Sequence, residues 1–330
     1  MGRRAWAGAA APGLAVAVAC ATAAYVLHAA IGALSPLILA VLFGVAVANF
    51  TPWRPLLAQG GQLAARNVLR VGIVLLGFRL AAGDALRLGG SGLGLVVVVV
   101  ATTFVGTLAL GRRLGLSRAM STLTATGFAI CGASAIAAMD GIVDADEEEV
   151  TYAIGLVTLC GTLAIVVMPL LGGILGLAGE DFGTWVGASV HDVGQVVATA
   201  STQGIDALEA ATVVKLTRVV LLGPLVAVMS ILKRRRAVGM QVKRSAPLVP
   251  GFVLAFLGAI AVRSAGVLSD DVLATIRLAE VACFAIALAG LGMAVVVDRL
   301  RHLGHRPVVL GLTSWLIIGS VSYAGVRMLA

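Results

Sequence analysis

The chain is a succession of apolar runs, each close to the length of a bilayer crossing, and few folds remain open to such a sequence. In hydrocarbon every backbone N–H and C=O must find its partner within the protein, so runs of this length become helices. Charged or Gly/Pro-rich breaks divide the 330 residues into eleven candidate spans, near 11–31, 35–50, 67–83, 91–111, 119–139, 150–176, 182–201, 207–232, 246–266, 273–297 and 307–328. Only 12% of residues are charged, about half the share of a soluble domain. The expected fold is an all-α integral membrane protein.

Charge placement orients these spans. With the N-terminus inside, the inner loops collect Arg3, Arg4, Arg54, Arg66, Arg112, Arg113, Arg118, the run Lys233–Arg236, Lys243, Arg244, Arg299, Arg301 and Arg306, which is 16 of the 24 Lys and Arg. The outer connections and the C-terminus hold Arg87, Arg263, Arg277 and Arg327. This is the positive-inside asymmetry of a multi-pass membrane protein, with the N-terminus inside and the C-terminus outside. The acidic run "DADEEE" at 144–149 then falls outside as a solvated loop. The formal charge of +8 is a topology signal, and no nucleic-acid partner follows from it. Arg277 and Glu280, one turn apart, are expected to pair locally.

The opening "MGRRAWAGAAAPGLAVAVACATAA" has the basic start, apolar middle and small-residue end of a signal peptide, and it fits equally as a retained first span. Cys20, Cys131, Cys160 and Cys283 lie within apolar runs and form no CxxC pair, so neither a zinc site nor a disulfide framework is expected.

Two fragments recur in order: "VLLG" at 74–77 and 220–223, and "FAI" at 128–130 and 284–286, offsets of 146 and 156 residues. That spacing maps spans two to six onto seven to eleven. An odd number of spans per unit inverts the second copy in the membrane, an arrangement typical of secondary transporters. The expected organisation is an extra N-terminal helix at 1–34, one inverted repeat at 35–178 and a second at 179–330. Paired helix breaks are expected in the fifth span, "TGFAICGASAIAAM", at Gly127, Gly132, Ala133 and Ser134. Their counterparts in the tenth, "ACFAIALAGLGMAV", are Gly290 and Gly292. A half-helix beginning near Gly132 would present free N–H groups and a positive dipole end, suited to an anion. Close packing of helices through small residues is the alternative for the same stretch.

Ionisable residues inside the apolar runs are expensive and mark function. In "GASVHDVGQVVATAS", Ser189, Asp192, Gln195 and Thr199 would make one polar stripe on a helix, with His191 beside it. The next span adds Thr212, Lys215 and Arg218 on one face. Asn67 and Arg70 form a further pair in "NVLRVGIVLLGFRL". One reading is a buried salt bridge between Asp192 and Lys215 or Arg218. The other lets one cation compensate Asp192 and leaves the second for an anion, with His191 and Asp192 available for proton coupling.

The segments "LRVGIVLLGFRL", "GFAICGASAIAA", "SVHDVGQVVAT", "VVKLTRVVLLGP" and "RPVVLGLTSWLIIG" resemble the YeiH family of bacterial membrane proteins, labelled sulfate exporters, over nearly the whole chain from about residue 35. The resemblance implies kinship with the cation–proton antiporter and bile-acid symporter superfamily, with two inverted five-helix repeats and crossed discontinuous helices. By motif it singles out Cys131, Gly132, Ala133, Ser134, His191, Asp192, Gln195, Lys215 and Arg218. One departure stands out: after "QVVA" the family often continues Ala-Gly, where this chain has Thr199-Ala200.

The expected function is a secondary active transporter exporting a small anion such as sulfate by alternating access, coupled to H+ or Na+. Its surroundings are the lipid bilayer and, as protein partner, a second copy of the chain. No GxxxxGK[ST] loop, HExxH or GxSxG occurs, so neither ATP coupling, an enzyme nor a bound cofactor or metal is expected. A cation-coupled carboxylate carrier or a monovalent cation–proton antiporter on the same scaffold is the alternative, and a passive channel stays open.

Overall fold

The computed structural model describes residues 3–31, 35–79, 89–143, 145–236, 251–296 and 304–329. The inner-loop cations Lys243, Arg244, Arg299 and Arg301 and the outer-loop Arg87 lie outside the described residues. In chain order the helices are α1 (Arg3–Ile31), α2 (Pro36–Phe50), α3 (Arg54–Leu63), a π turn (Ala64–Val68), α4 (Leu69–Leu76), α5 (Gly89–Arg113), α6 (Arg118–Ala129) and α7 (Ala133–Val143). There follow α8 (Glu147–Leu175), α9 (Gly179–Ser189), α10 (Val193–Ala200), α11 (Ile205–Val220), α12 (Leu222–Arg236), α13 (Gly251–Ser264), α14 (Asp270–Met293) and α15 (His305–Leu329). Among the described residues, six stretches are long and apolar enough to cross a membrane: Ala10–Ala30, Gly89–Arg113, Glu148–Leu175, Ile205–Lys233, Asp270–Met293 and His305–Leu329. Pro36–Phe50 and Gly251–Ser264 are shorter apolar helices.

The chain forms two compact units, each drawing on both halves of the sequence. The first contains Met1–Arg87 and Gly251–Asp298, the second Leu88–Pro250 and Arg299–Ala330. In the first unit α14 runs unbroken through Gly290 and Gly292, so the break expected in the tenth span is absent. These glycines serve backbone approach instead. A methyl on Gly292 would collide with Val41 O of α2, and one on Gly290 would lie 2.6 Å from Gly61 O of α3. Small residues that let backbones touch are how apolar helices gain contact in lipid. Glu280 accepts from Arg79 Nε at 2.5 Å, a partner 201 residues away, where a local pair with Arg277 was expected.

The second unit departs further from eleven spans. A single cavity is lined by Arg118 and Thr122 from the start of α6 and by Ile142 and Val143 from the end of α7. Ser117, which caps α6, also donates to Glu149 in the first turn of α8. Both ends of the α6–α7 segment therefore lie at one face, and the fifth "span" is a re-entrant hairpin. Its arms of 12 and 11 residues rise about 18 and 16 Å, roughly half the hydrocarbon thickness. Residues 145–149, part of the acidic run expected opposite the basic loops, thus share a face with Arg118 and Lys233. Arg306 is there too, its Nη1 3.6 Å from a methyl built on Gly115.

The seventh "span" folds back in the same way from the other face. Methyls on Gly183 and Gly187 of α9 would strike Ala207 O and Ala211 O of α11. Equal steps in the same direction make α9 and α11 parallel neighbours, so α10 must return the chain to the face where α9 began. At that face Gly172, near the end of α8, faces both Phe182 of α9 and Gln203 after α10. Helix α8, 29 residues long, carries the chain from the face of the first hairpin to that of the second.

Candidate functional site

Each hairpin tip interrupts a helix by identifiable local chemistry. Helix α6 ends at Ala129, Ile130 leaves helical geometry at φ −113° and ψ −89°, and Gly132 takes φ +67° before α7 begins. A side chain is disfavoured at that φ, so glycine makes the turn. In the second tip α9 ends at Ser189, and Asp192 restarts the chain as N-cap of α10. Its carboxylate accepts from Gly194 N at 2.9 Å, while Gln195 Oε1 accepts from Asp192 N at 3.1 Å. This reciprocal capping box satisfies donors that a helix start otherwise strands. The polar stripe expected from Ser189 to Thr199 is therefore split. Ser189 donates to Trp185 O at 2.6 Å and Thr199 to Gln195 O at 2.7 Å, on helices that run in opposite senses.

The two tips meet. A methyl on Gly132 would lie 3.5 Å from Asp192 Cβ and 3.6 Å from its Oδ2. Lys215 and Arg218, three residues apart on α11, face both tips and are fully buried. Arg218 Nε and Nη2 donate to Ala129 O at 3.1 and 2.9 Å, and Nη2 also to Phe128 O at 3.0 Å. Its Nη1 donates to Gly187 O at 3.0 Å and Val190 O at 2.9 Å. Lys215 Nζ donates to Ile130 O at 2.6 Å, to Val190 O at 2.8 Å and to His191 O. Every N–H of both cations is committed to a main-chain carbonyl at the C-terminal end of α6 or α9. Those ends carry unpaired carbonyls and the negative pole of the helix dipole, so two buried cations neutralise them. Neither cation therefore has a hydrogen-bond donor to spare for Asp192 or for an anion.

What remains accessible at the tips comes from the N-terminal halves. Ser134, in the first turn of α7, is exposed, and Asp192 is half-buried. Ser134 Oγ donates to Cys131 O at 3.0 Å and lies 3.0 Å from Cys131 Sγ. His191 is fully buried with its ring centroid 4.3 Å from that of Phe128. The Phe128 backbone lies near the ring, yet neither ring nitrogen makes a well-formed hydrogen bond among the described residues. Gln195 is wedged against Gly161 of α8, where a methyl would overlap its amide. No cluster of three or more His, Cys, Asp or Glu that could hold a metal occurs among the described residues.

Of the sequence-predicted residues, Cys131, Gly132, Ala133, Ser134, His191, Asp192, Gln195, Lys215 and Arg218 thus gather at the tips, and Thr199 lies two turns into α10. Asn67, Arg70, Gly290 and Gly292 belong to the first unit. There Asn67 and Arg70 are exposed, and the Arg70 guanidinium sits 5.5 Å from the Phe252 ring centroid. Sequence reasoning missed the carbonyls of Phe128, Ala129, Gly187 and Val190 as partners of Arg218. A signal for the second tip was present: Asp-x-x-Gln, a helix-start pattern in the middle of an apolar run.

A family model described as "Conserved hypothetical protein 698" matches residues 12–311. Similar chains include the UPF0324 membrane protein Cgl0015/cg0018 of Corynebacterium glutamicum, 37% identical over 95% of this chain and 91% of that one. The UPF0324 membrane protein TauZ of Paracoccus pantotrophus is 32% identical over 96% and 95%. The UPF0324 membrane protein Atu0671 of Agrobacterium fabrum is 31% identical over 88% and 83%. No solved structure matches.

Proposed function

Because this chain belongs to the UPF0324 family of membrane proteins, we propose that it is a secondary active transporter whose site lies at the two hairpin tips. The observation that carries this reading is the meeting of two re-entrant hairpins, entering from opposite faces, at the buried pair Lys215 and Arg218. Broken helices at mid-membrane are tolerated where they line a polar site, and hairpins entering from opposite faces suit an inverted-repeat transporter of the superfamily that the sequence resembles. In this reading the basic face of the second unit is cytoplasmic.

The substrate is a small anion such as sulfate, moved outward by alternating access. With the C-terminal carbonyls neutralised, the open field at the tips is that of two helix N-termini, α7 and α10, both positive. The first N–H groups of α7, those of Ala133 and Ser134, supply donors. Asp192 stands in the same field, so an anion and an ionised carboxylate compete for it. Protonation of Asp192 relieves that competition and couples anion movement to a proton.

The committed cations favour a second reading, a cation-coupled carrier or antiporter in which Asp192 binds the coupling ion itself. Flux of labelled sulfate into proteoliposomes, with a panel of competing anions and imposed H+ or Na+ gradients, separates the two. Saturable sulfate flux driven by a pH gradient and lost in Asp192→Asn supports the anion reading. Monovalent cation flux with no anion dependence replaces it with the second.

A further inference from the structure

We propose that the second unit holds a binding site for an anionic phospholipid between the first hairpin and its neighbours. A cavity of about 450 Å³ opens there, walled by Phe104 and Leu108 of α5, Ile142 of α7 and Met229 of α12, with Arg112, Arg118 and Lys233 at its basic end. Its two parts differ in chemistry. The apolar walls come from α5, α7 and α12, whereas the cations stand at the last turn of α5, the first of α6 and the end of α12. Arg112 and Arg118 are exposed and Lys233 is half-buried.

An apolar slot capped by three cations matches one acyl chain below a phosphate headgroup. A soluble anion has no use for the slot, and a zwitterionic lipid gains little from the cations. The inner leaflet, where positive-inside asymmetry places this end, is also where anionic lipids attract basic residues. Two acids at this end are engaged with their own neighbours: Glu149 accepts from Ser117 and from Asp146 N, and Asp146 accepts from Glu149 N. The site touches both arms of the hairpin, through Arg118 and Thr122 on α6 and Ile142 and Val143 on α7. A lipid seated there ties the hairpin to α5 and α12 and slows its separation from them.

The test uses the full-length protein in neutral detergent, titrated with phosphatidylglycerol, phosphatidylcholine or inorganic phosphate, read by thermal unfolding and by lipid retention in native mass spectrometry. Phosphatidylglycerol is expected to raise the unfolding temperature and to be retained, with phosphatidylcholine and phosphate doing neither. In Arg112→Gln/Arg118→Gln, retention should weaken roughly thirtyfold. In Ala119→Trp, which fills the slot and keeps the cations, retention should fall as well. Equal effects of phosphatidylcholine, or stabilisation by inorganic phosphate alone, overturn the proposal on the unaltered protein. So does unchanged phosphatidylglycerol retention in the double variant.

Discussion

Replacing Arg218 with Gln is the sharpest probe of how the hairpin tips hold together. Arg218 donates five hydrogen bonds to four carbonyls. Val190 O keeps Lys215 as a partner at 2.8 Å, so Phe128, Ala129 and Gly187 are the carbonyls that lose their cation. A buried group left unpaired costs about 1–3 kcal/mol. Three of them give a gross loss of about 3–9 kcal/mol, which the new amide lowers by satisfying one. Removing a buried guanidinium also returns its desolvation cost, so the net lies near the 3–5 kcal/mol seen when one side of a buried charged contact is deleted. Lys215→Met strands two carbonyls, Ile130 and His191, because Val190 O keeps Arg218. It should therefore destabilise less.

Thermal unfolding of both variants in one detergent measures the order. Hydrogen exchange at residues 128–132 and 187–192 locates the damage, which should be confined to the tips at temperatures where α5 and α15 stay protected. The reasoning fails if Arg218→Gln unfolds like the wild type and loses only its response to sulfate. That result would make Arg218 an anion ligand and would leave the carbonyl contacts without energetic weight.

Other consequences follow from the same geometry. Gly132→Ala forces a side chain into left-handed backbone, at about 1–2 kcal/mol, and puts a methyl 3.1 Å from Val157 Cγ1 and 3.5 Å from Asp192 Cβ; reduced sulfate flux with modest loss of thermal stability is expected. Gly187→Val drives a side chain into Ala211 O of α11, so it should prevent accumulation of folded protein in membranes, whereas Gly173→Ala, which meets nothing within 4 Å, should be silent. In a background without native cysteines, single cysteines at Ala145 and Arg113 should react with an impermeant maleimide from one side and a cysteine at Gly204 from the other. Labelling of Ala145 from the side of Gly204 would mean that residues 118–143 cross the membrane and that the hairpin is wrong.

The helical membrane character was legible because apolar run length alone demands it, and the break at Gly132 because the surrounding small residues weaken a helix. Lys215 and Arg218 could be placed on one face by their spacing. The fold-back could not be read in the same way. An interrupted helix that continues across the bilayer and one that returns show the same apolar pattern, since both lie in the same hydrocarbon. What distinguishes them is contact between distant residues, such as Ser117 with Glu149 or Gly183 with Ala207. Gly290 failed for a related reason. A glycine inside a membrane helix lowers helix propensity and also allows backbone contact, and Gly61 and Ala64 across from it decide for contact.

The excess of buried cations over carboxylates was the strongest reason in the sequence for expecting an anion, and the geometry gives that excess another purpose. Four helix ends converge at the tips. Two are carbonyl ends, and without Lys215 and Arg218 they would place negative poles beside the N-termini of α7 and α10 and largely cancel them. Neutralising only the carbonyl ends leaves the N-terminal poles unopposed. In the anion reading proposed above, the cations serve an anion without touching it: they remove the field that would repel it. Asp192, whose Oδ2 lies 3.6 Å from a methyl built on Gly132, stands in this positive field. In that reading an anion that enters competes with the ionised Asp192 carboxylate or meets it protonated. It is that competition between the anion and the Asp192 carboxylate, with both cations held by main-chain carbonyls, that links an anion to a proton in the anion reading.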